Sequence, residues 1–109
     1  MSYACGNGVG QAYPYGDQHL DGVCNDASEE SLSIVATGFL ASCVNDQGVF
    51  DLIGNVNEWT ADEGAATGTH QSFGGGYLTD PSVSCIGETS TEDFLDSTRL
   101  PDLGFRCCL

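Results

Sequence analysis

Six cysteines, at positions 5, 24, 43, 85, 107 and 108, limit what these 109 residues can fold into. They are even in number and widely spread, without the paired spacing of a zinc knuckle, so they favour disulfides over a metal thiolate site. Three bridges are expected, and spacing alone does not choose among the possible pairings. A bridge that closes a long loop is worth about 4 kcal/mol in the chain-entropy view. Adjacent Cys107 and Cys108 would rarely bridge each other, so each is expected to reach a different distant partner. Disulfides of this kind persist outside the reducing cytosol, so an extracellular or secreted location is expected. No apolar stretch follows Met1 that could act as a signal peptide or membrane span.

The chain is long enough for one modest core, and a single domain over residues 1–109 is expected. Fifteen glycines punctuate it throughout, which predicts turns rather than long helices. Sixteen acidic residues face two basic ones, for a net charge of −14. That field opposes phosphate backbones and anionic lipid, so nucleic acid and membrane surfaces are excluded as partners. Self-repulsion of this size calls for cations, salt or a partner to offset it.

Along the chain, residues 1–31 alternate aromatics with turn residues and predict ordered loop. The β-branched run at residues 32–40 and the segment at residues 48–53 predict strands. Trp59 looks buried beside acidic neighbours, and Gly74, Gly75 and Gly76 between aromatics predict a strand with close backbone approach. Residues 79–101 are polar and predict a surface loop of possible functional use. The last residues predict a short closing strand.

Four texts stand in order: a Cys5 segment with Tyr13 to Gly16 (YPYG), GVFDLIGNVNEWTAD from Gly48 to Asp62, FGGGY from Phe73 to Tyr77, and GFRCC from Gly104 to Cys108. Together they resemble the formylglycine-generating-enzyme (sulfatase-modifying-factor) family over nearly the whole chain. The resemblance lacks that family's N-terminal helical portion, so it covers a truncated, C-terminal part of the domain. It implies an α+β, loop-rich, C-type-lectin-like fold with short antiparallel strands and little helix, stapled by disulfides.

The resemblance implies a calcium site. Asp51 and Glu58 match side-chain ligands, and Gly54 and Val56 match positions that give carbonyl oxygens. Hard Ca2+ prefers such an all-oxygen mixture. The plain alternative is a tight turn that anchors Trp59, with both carboxylates solvated. Asn25 matches a second calcium position, although its acidic partner has no counterpart here. Asn57 stands where the family has Trp, a change in packing and not in ligands.

The oxidases of this family bind copper through two cysteines just after the glycine segment, a soft-ligand pair. Here Thr79 falls at the first and only Cys85 is on offer, so the implied copper site is incomplete. Cys85 suits a disulfide, with Cys5 as the partner the resemblance suggests. His19 and His70 lie in polar text without a nucleophile motif, and adjacent acids such as Glu92 with Asp93, or Glu29 with Glu30, diverge in extended chain. Arg99 and Arg106 are read as ion-pair partners among the carboxylates.

The reading is therefore a non-catalytic, calcium-stabilised, extracellular lectin-like module. It binds a protein or glycan ligand through residues 79–98 with Gly64 to His70, or assembles with copies of itself as a structural subunit. Some family members use such loops as diversified binding surfaces, as in retroelement-diversified receptors. The alternative is a copper-dependent formylglycine-generating oxidase or a degenerate fragment of one. Absence of the helical portion is expected to bare apolar surface and strand edges, which a homo-oligomer would cover.

Overall fold

The computed structural model describes residues 1–28, 33–80, 82–86 and 91–107. A single helical turn, α1 (Ser2–Cys5), leads into long stretches of turn, followed by strands β1 (Asn57–Glu63), β2 (Thr69–Phe73), β3 (Thr91–Leu95) and β4 (Leu103–Gly104). The sheet order is β3-β2-β1-β4. The β1/β2 and β2/β3 pairs are antiparallel, and β4 lies parallel to β1.

Register decides which residues share a face. Glu58 stands opposite Phe73, and Trp59 opposite Ser72; Ser72 in turn stands opposite Glu92, and His70 opposite Phe94. Side chains alternate along a strand, so Phe73 and Glu58 lie inward while Trp59, His70, Glu92 and Phe94 share the outer face. The irregularity between Trp59 and Glu63 bends β1 away from a flat sheet.

The core is small. Leu52, Ile53 and Phe73 pack around the Cys5–Cys85 disulfide, with Ala4, Val49 and Val83 at its edge. This bridge spans a sequence separation of 80, and the other, Cys24–Cys43, spans 19. Together they constrain a chain that has little apolar area to bury. Cys107 is a free, exposed thiol. The expected set of three bridges within the chain is therefore corrected for Cys107: Cys5, Cys24, Cys43 and Cys85 are spent on each other, and no distant sulfur remains for it. Cys108 lies outside the described residues.

Neither run expected as a strand at residues 32–40 and 48–53 forms one among the described residues; Leu32 lies outside them. Gly38 turns the first run at φ 74°, and Asp51 takes φ 56° in the second. Both values lie in the left-handed region, which ends an extended chain. The first run meets a side chain instead of a ladder. The Val35 N–H donates to Asn55 Oδ1 at 3.0 Å, and Asn55 Nδ2 donates to the Val35 carbonyl at 3.2 Å. The expected loop after residue 79 is corrected too, because it contains β3. The glycine segment follows β2 rather than forming a strand, but the close approach is real. A Cβ on Gly74 would sit 2.7 Å from the Leu52 carbonyl oxygen.

Candidate functional site

Two regions gather polar chemistry. The first is the loop from Asp51 to Glu58. Asp51 and Asn55 adopt φ 56° and 62°, conformations that Asp and Asn tolerate better than most residues, and Gly54 between them has φ 75°. A Cβ on Gly54 would lie 2.5 Å from the Asn25 carbonyl oxygen, so only glycine fits there. The loop is pinned on both sides: Gly54 N–H donates to the Gly74 carbonyl at 2.8 Å and Asn55 N–H to the Asn25 carbonyl at 2.7 Å.

Asparagines complete the lattice. Asn25 Nδ2 donates to Asn55 Oδ1 at 3.0 Å and to the Ser33 carbonyl at 3.1 Å. Asn57 Oδ1 accepts the Gly75 N–H at 2.9 Å. The position that departs from the family's Trp thus ties the loop to the glycine segment. Asn25 Oδ1 is buried without a hydrogen-bond partner among the described residues. An orphaned amide oxygen is costly and marks a place for a donor or cation.

Of the four residues expected to hold calcium, the structure places all on this loop or its exit into β1, with Asp51 and Glu58 both buried. Asp51 Oδ2 accepts the Gly38 N–H at 2.9 Å. Glu58 meets Arg106 with both oxygens, at 2.6 Å to Nη2 and 2.8 Å to Nε. The same Nη2 donates to the carbonyls of Phe50 and Asp51. Arg106 is thus the ion-pair partner expected of it. Carboxylates, backbone carbonyls and the orphaned Asn25 oxygen are all oxygen donors, the type a hard cation takes, but among the described residues no three acidic, His or Cys side chains gather as a metal site. Arg106 already meets the Glu58 charge with both carboxylate oxygens, while the Asp51 carboxylate is held by a backbone N–H.

The thiol positions of the copper reading are occupied otherwise. Cys85 is fully buried in its bridge to Cys5, the pairing the resemblance suggested. Thr79 Oγ1 accepts the Gly76 N–H at 2.7 Å, closing a turn.

The second region is the outer face of the sheet. Trp59, expected to be buried, is half-buried on this face, and its ring meets that of Phe94 edge-on at 6.0 Å between centroids. A cleft of about 310 Å³ is lined by Trp59, Thr60, His70 and Asp96. In it His70 Nδ1 and Asp96 Oδ1 lie 2.7 Å apart. That hydrogen bond holds the His70 pKa above its usual value, and Glu63 adds to the effect. Beyond Phe94 runs a groove of about 610 Å³ whose lining includes Leu78, Asp80, Glu92, Leu100 and Asp102. The Ser82 N–H, which donates to Asp80 Oδ1, leads the hydrogen bonds that lower the Asp80 pKa, so that carboxylate stays ionised. Residues 81 and 87–90 of the expected binding loop lie outside the described set, as do Glu29 and Glu30. His19 is held by Asp26 at 2.8 Å and Asp21 at 3.3 Å, a surface anchor with no nucleophile attached.

A short twisted sheet on a disulfide-stapled, loop-rich scaffold is the α+β, C-type-lectin-like architecture that the four ordered texts implied. Solved structures carry the same fold. The Treponema denticola variable protein 1 superposes with a TM-score of 0.81 at 17% identity, covering 95% of this chain and 42% of that one. CarF superposes with a TM-score of 0.74 at 23% identity, with the same coverage of 95% and 42%. The chain thus spans well under half of either neighbour. No curated protein matches the sequence. The family profile of the sulfatase-modifying factor enzyme 1-like domain matches residues 1–109, and the chain belongs to that family.

Proposed function

We propose that this chain is a non-catalytic, calcium-stabilised, extracellular module that binds a partner through the outer face of its sheet together with residues 79–98. The observation that carries the non-catalytic reading is the fate of the two thiol positions: one is Thr79 and the other, Cys85, is spent on Cys5. A copper site built on two thiolates needs both. Support for binding comes from two open clefts, one beside Trp59 and one whose lining includes Phe94. The neighbour from Treponema denticola, itself named a variable protein, has the same fold. Two disulfides support an extracellular setting. Among the described residues no helix is long and apolar enough to cross a membrane.

Calcium would be held by Asp51, Glu58 and the carbonyls of Gly54 and Val56, and would supply a structural cross-link and no reaction step. The buried carboxylates and the orphaned Asn25 oxygen beside the loop support it. Because Glu58 also holds Arg106, Asp51→Asn is the cleaner probe. Chelation is expected to lower the melting temperature of the parent protein and to leave Asp51→Asn unmoved; an unchanged parent melt sinks the calcium claim. Copper loading with turnover of a cysteine-containing sulfatase peptide would overturn the non-catalytic reading.

A second reading, assembly of copies, is favoured by apolar side chains left in water, Phe105 at 76% and Phe39 at 72% exposure among them. Sedimentation in calcium at micromolar concentration decides it, with a monomer as the contrary result.

A further inference from the structure

We propose that the cleft beside Trp59 takes an arginine side chain presented by a partner polypeptide. The inference rests on the binding-module reading and names its ligand chemistry. Trp59 and Phe94 stand at 77° to each other, so the cleft is bordered by an indole whose neighbouring ring fixes its place. Asp96 lines the same cleft, its Oδ1 held by His70 while Oδ2 has no hydrogen bond among the described residues. An aromatic surface beside a positioned carboxylate is the combination that recognises a flat cation: the guanidinium stacks on the ring and donates to the oxygen. The ammonium of lysine lacks the planar stack.

The surroundings agree in sign. The adjoining groove contributes Asp80, Glu92 and Asp102, with Leu78 and Leu100 exposed at 62% and 43% to receive apolar flanks of the same segment. The whole chain carries a net charge of −14, which favours approach of a basic partner. A second copy is a poor source of the guanidinium. The chain has only two basic residues; Arg106 is committed to Glu58, and Arg99 folds back onto the Thr98 and Asp96 carbonyls.

Trp59 is the single tryptophan, so its fluorescence reads the cleft directly. The test titrates the full chain, at physiological salt, with a short peptide holding one central arginine and with its citrulline twin, which keeps the shape and removes the charge. Saturable change with the arginine peptide is expected, with affinity about tenfold weaker for citrulline. Asp96→Asn should weaken the arginine peptide about fivefold, while Asp17→Asn, distant in sequence and exposed, should not. Equal binding of the two peptides, or equal loss in both variants, would show a non-specific charge effect and overturn the inference. A displayed random-peptide library separates this failure from that of the underlying reading. Binders lost in Phe94→Ala but lacking arginine overturn the arginine inference and leave a binding face. If no binder depends on Phe94, both fall.

Discussion

Two acid–base pairs in this molecule are chemically alike and differently placed. Glu58 and Arg106 meet at 2.6 Å with side chains only 8% and 23% exposed, whereas Asp96 and His70 meet at 2.7 Å with 54% and 41% exposed. The buried pair is also bonded to the carbonyls of Phe50 and Asp51, so it closes the loop onto the C-terminal segment. The exposed pair joins β2 to the turn after β3 and is screened by water. Burial decides what such a pair does: removing one partner strands a charge in the first case and costs little in the second. One region is scaffold, and the other is free to be used.

The largest break in that contrast is expected at the buried pair. Arg106→Gln leaves Glu58 charged and buried, and should cost about 3 kcal/mol in chemical denaturation. On the calcium proposal, added Ca2+ should restore part of that loss, because the freed carboxylate would then be available as a ligand beside Asp51. A loss below about 1 kcal/mol, the size of a surface pair, would show that the burial contrast is not what distinguishes the two.

A smaller effect sharpens the exposed side. The hydrogen bond to Asp96, helped by Glu63, favours the protonated form of His70, so its folded pKa lies above the unfolded value near 6.5. The sign follows: the pair contributes fully below about pH 6.5 and is lost as pH rises through the folded pKa. Proton NMR of the His70 ring should show a raised midpoint that falls back in Asp96→Asn. An unmoved midpoint would mean that the two groups are not coupled in solution. Protonated His70 also neutralises Asp96, so affinity for a cationic peptide should weaken as pH drops through the same range.

Much of the fold was legible in the residues, and the reasons are local. The four ordered texts implied the architecture, and the family match covers the same residues. The Cys5–Cys85 bridge was suggested by the resemblance, and the Arg106 ion pair by charge scarcity. The strands expected at residues 32–40 and 48–53 failed because β-branched content speaks for pleated surface only when a partner strand is available. Here Asn55 offers a side-chain partner and Asp51 turns the chain. β3 was hidden in polar text, since an edge strand facing water needs no apolar alternation. The asparagine lattice at Asn25, Asn55 and Asn57 was missed as a structural unit. A signal existed in the Gly54-Asn55 step, a pair that favours left-handed backbone. Trp59 looked buried because its neighbours are the loop residues, but the register puts it on the outer face.

The division between scaffold and face is tested most directly by unfolding two variants side by side. One is Glu58→Gln, a single change in the buried pair; the other combines His70→Ala, Phe94→Ala and Asp96→Ala on the outer face. Denaturant midpoints with unchanged slopes report stability alone. The triple change is predicted to lose less stability than the single one while abolishing binding at the cleft. A triple variant that unfolds more readily than Glu58→Gln would contradict the account, because the face would then be part of what holds the molecule together.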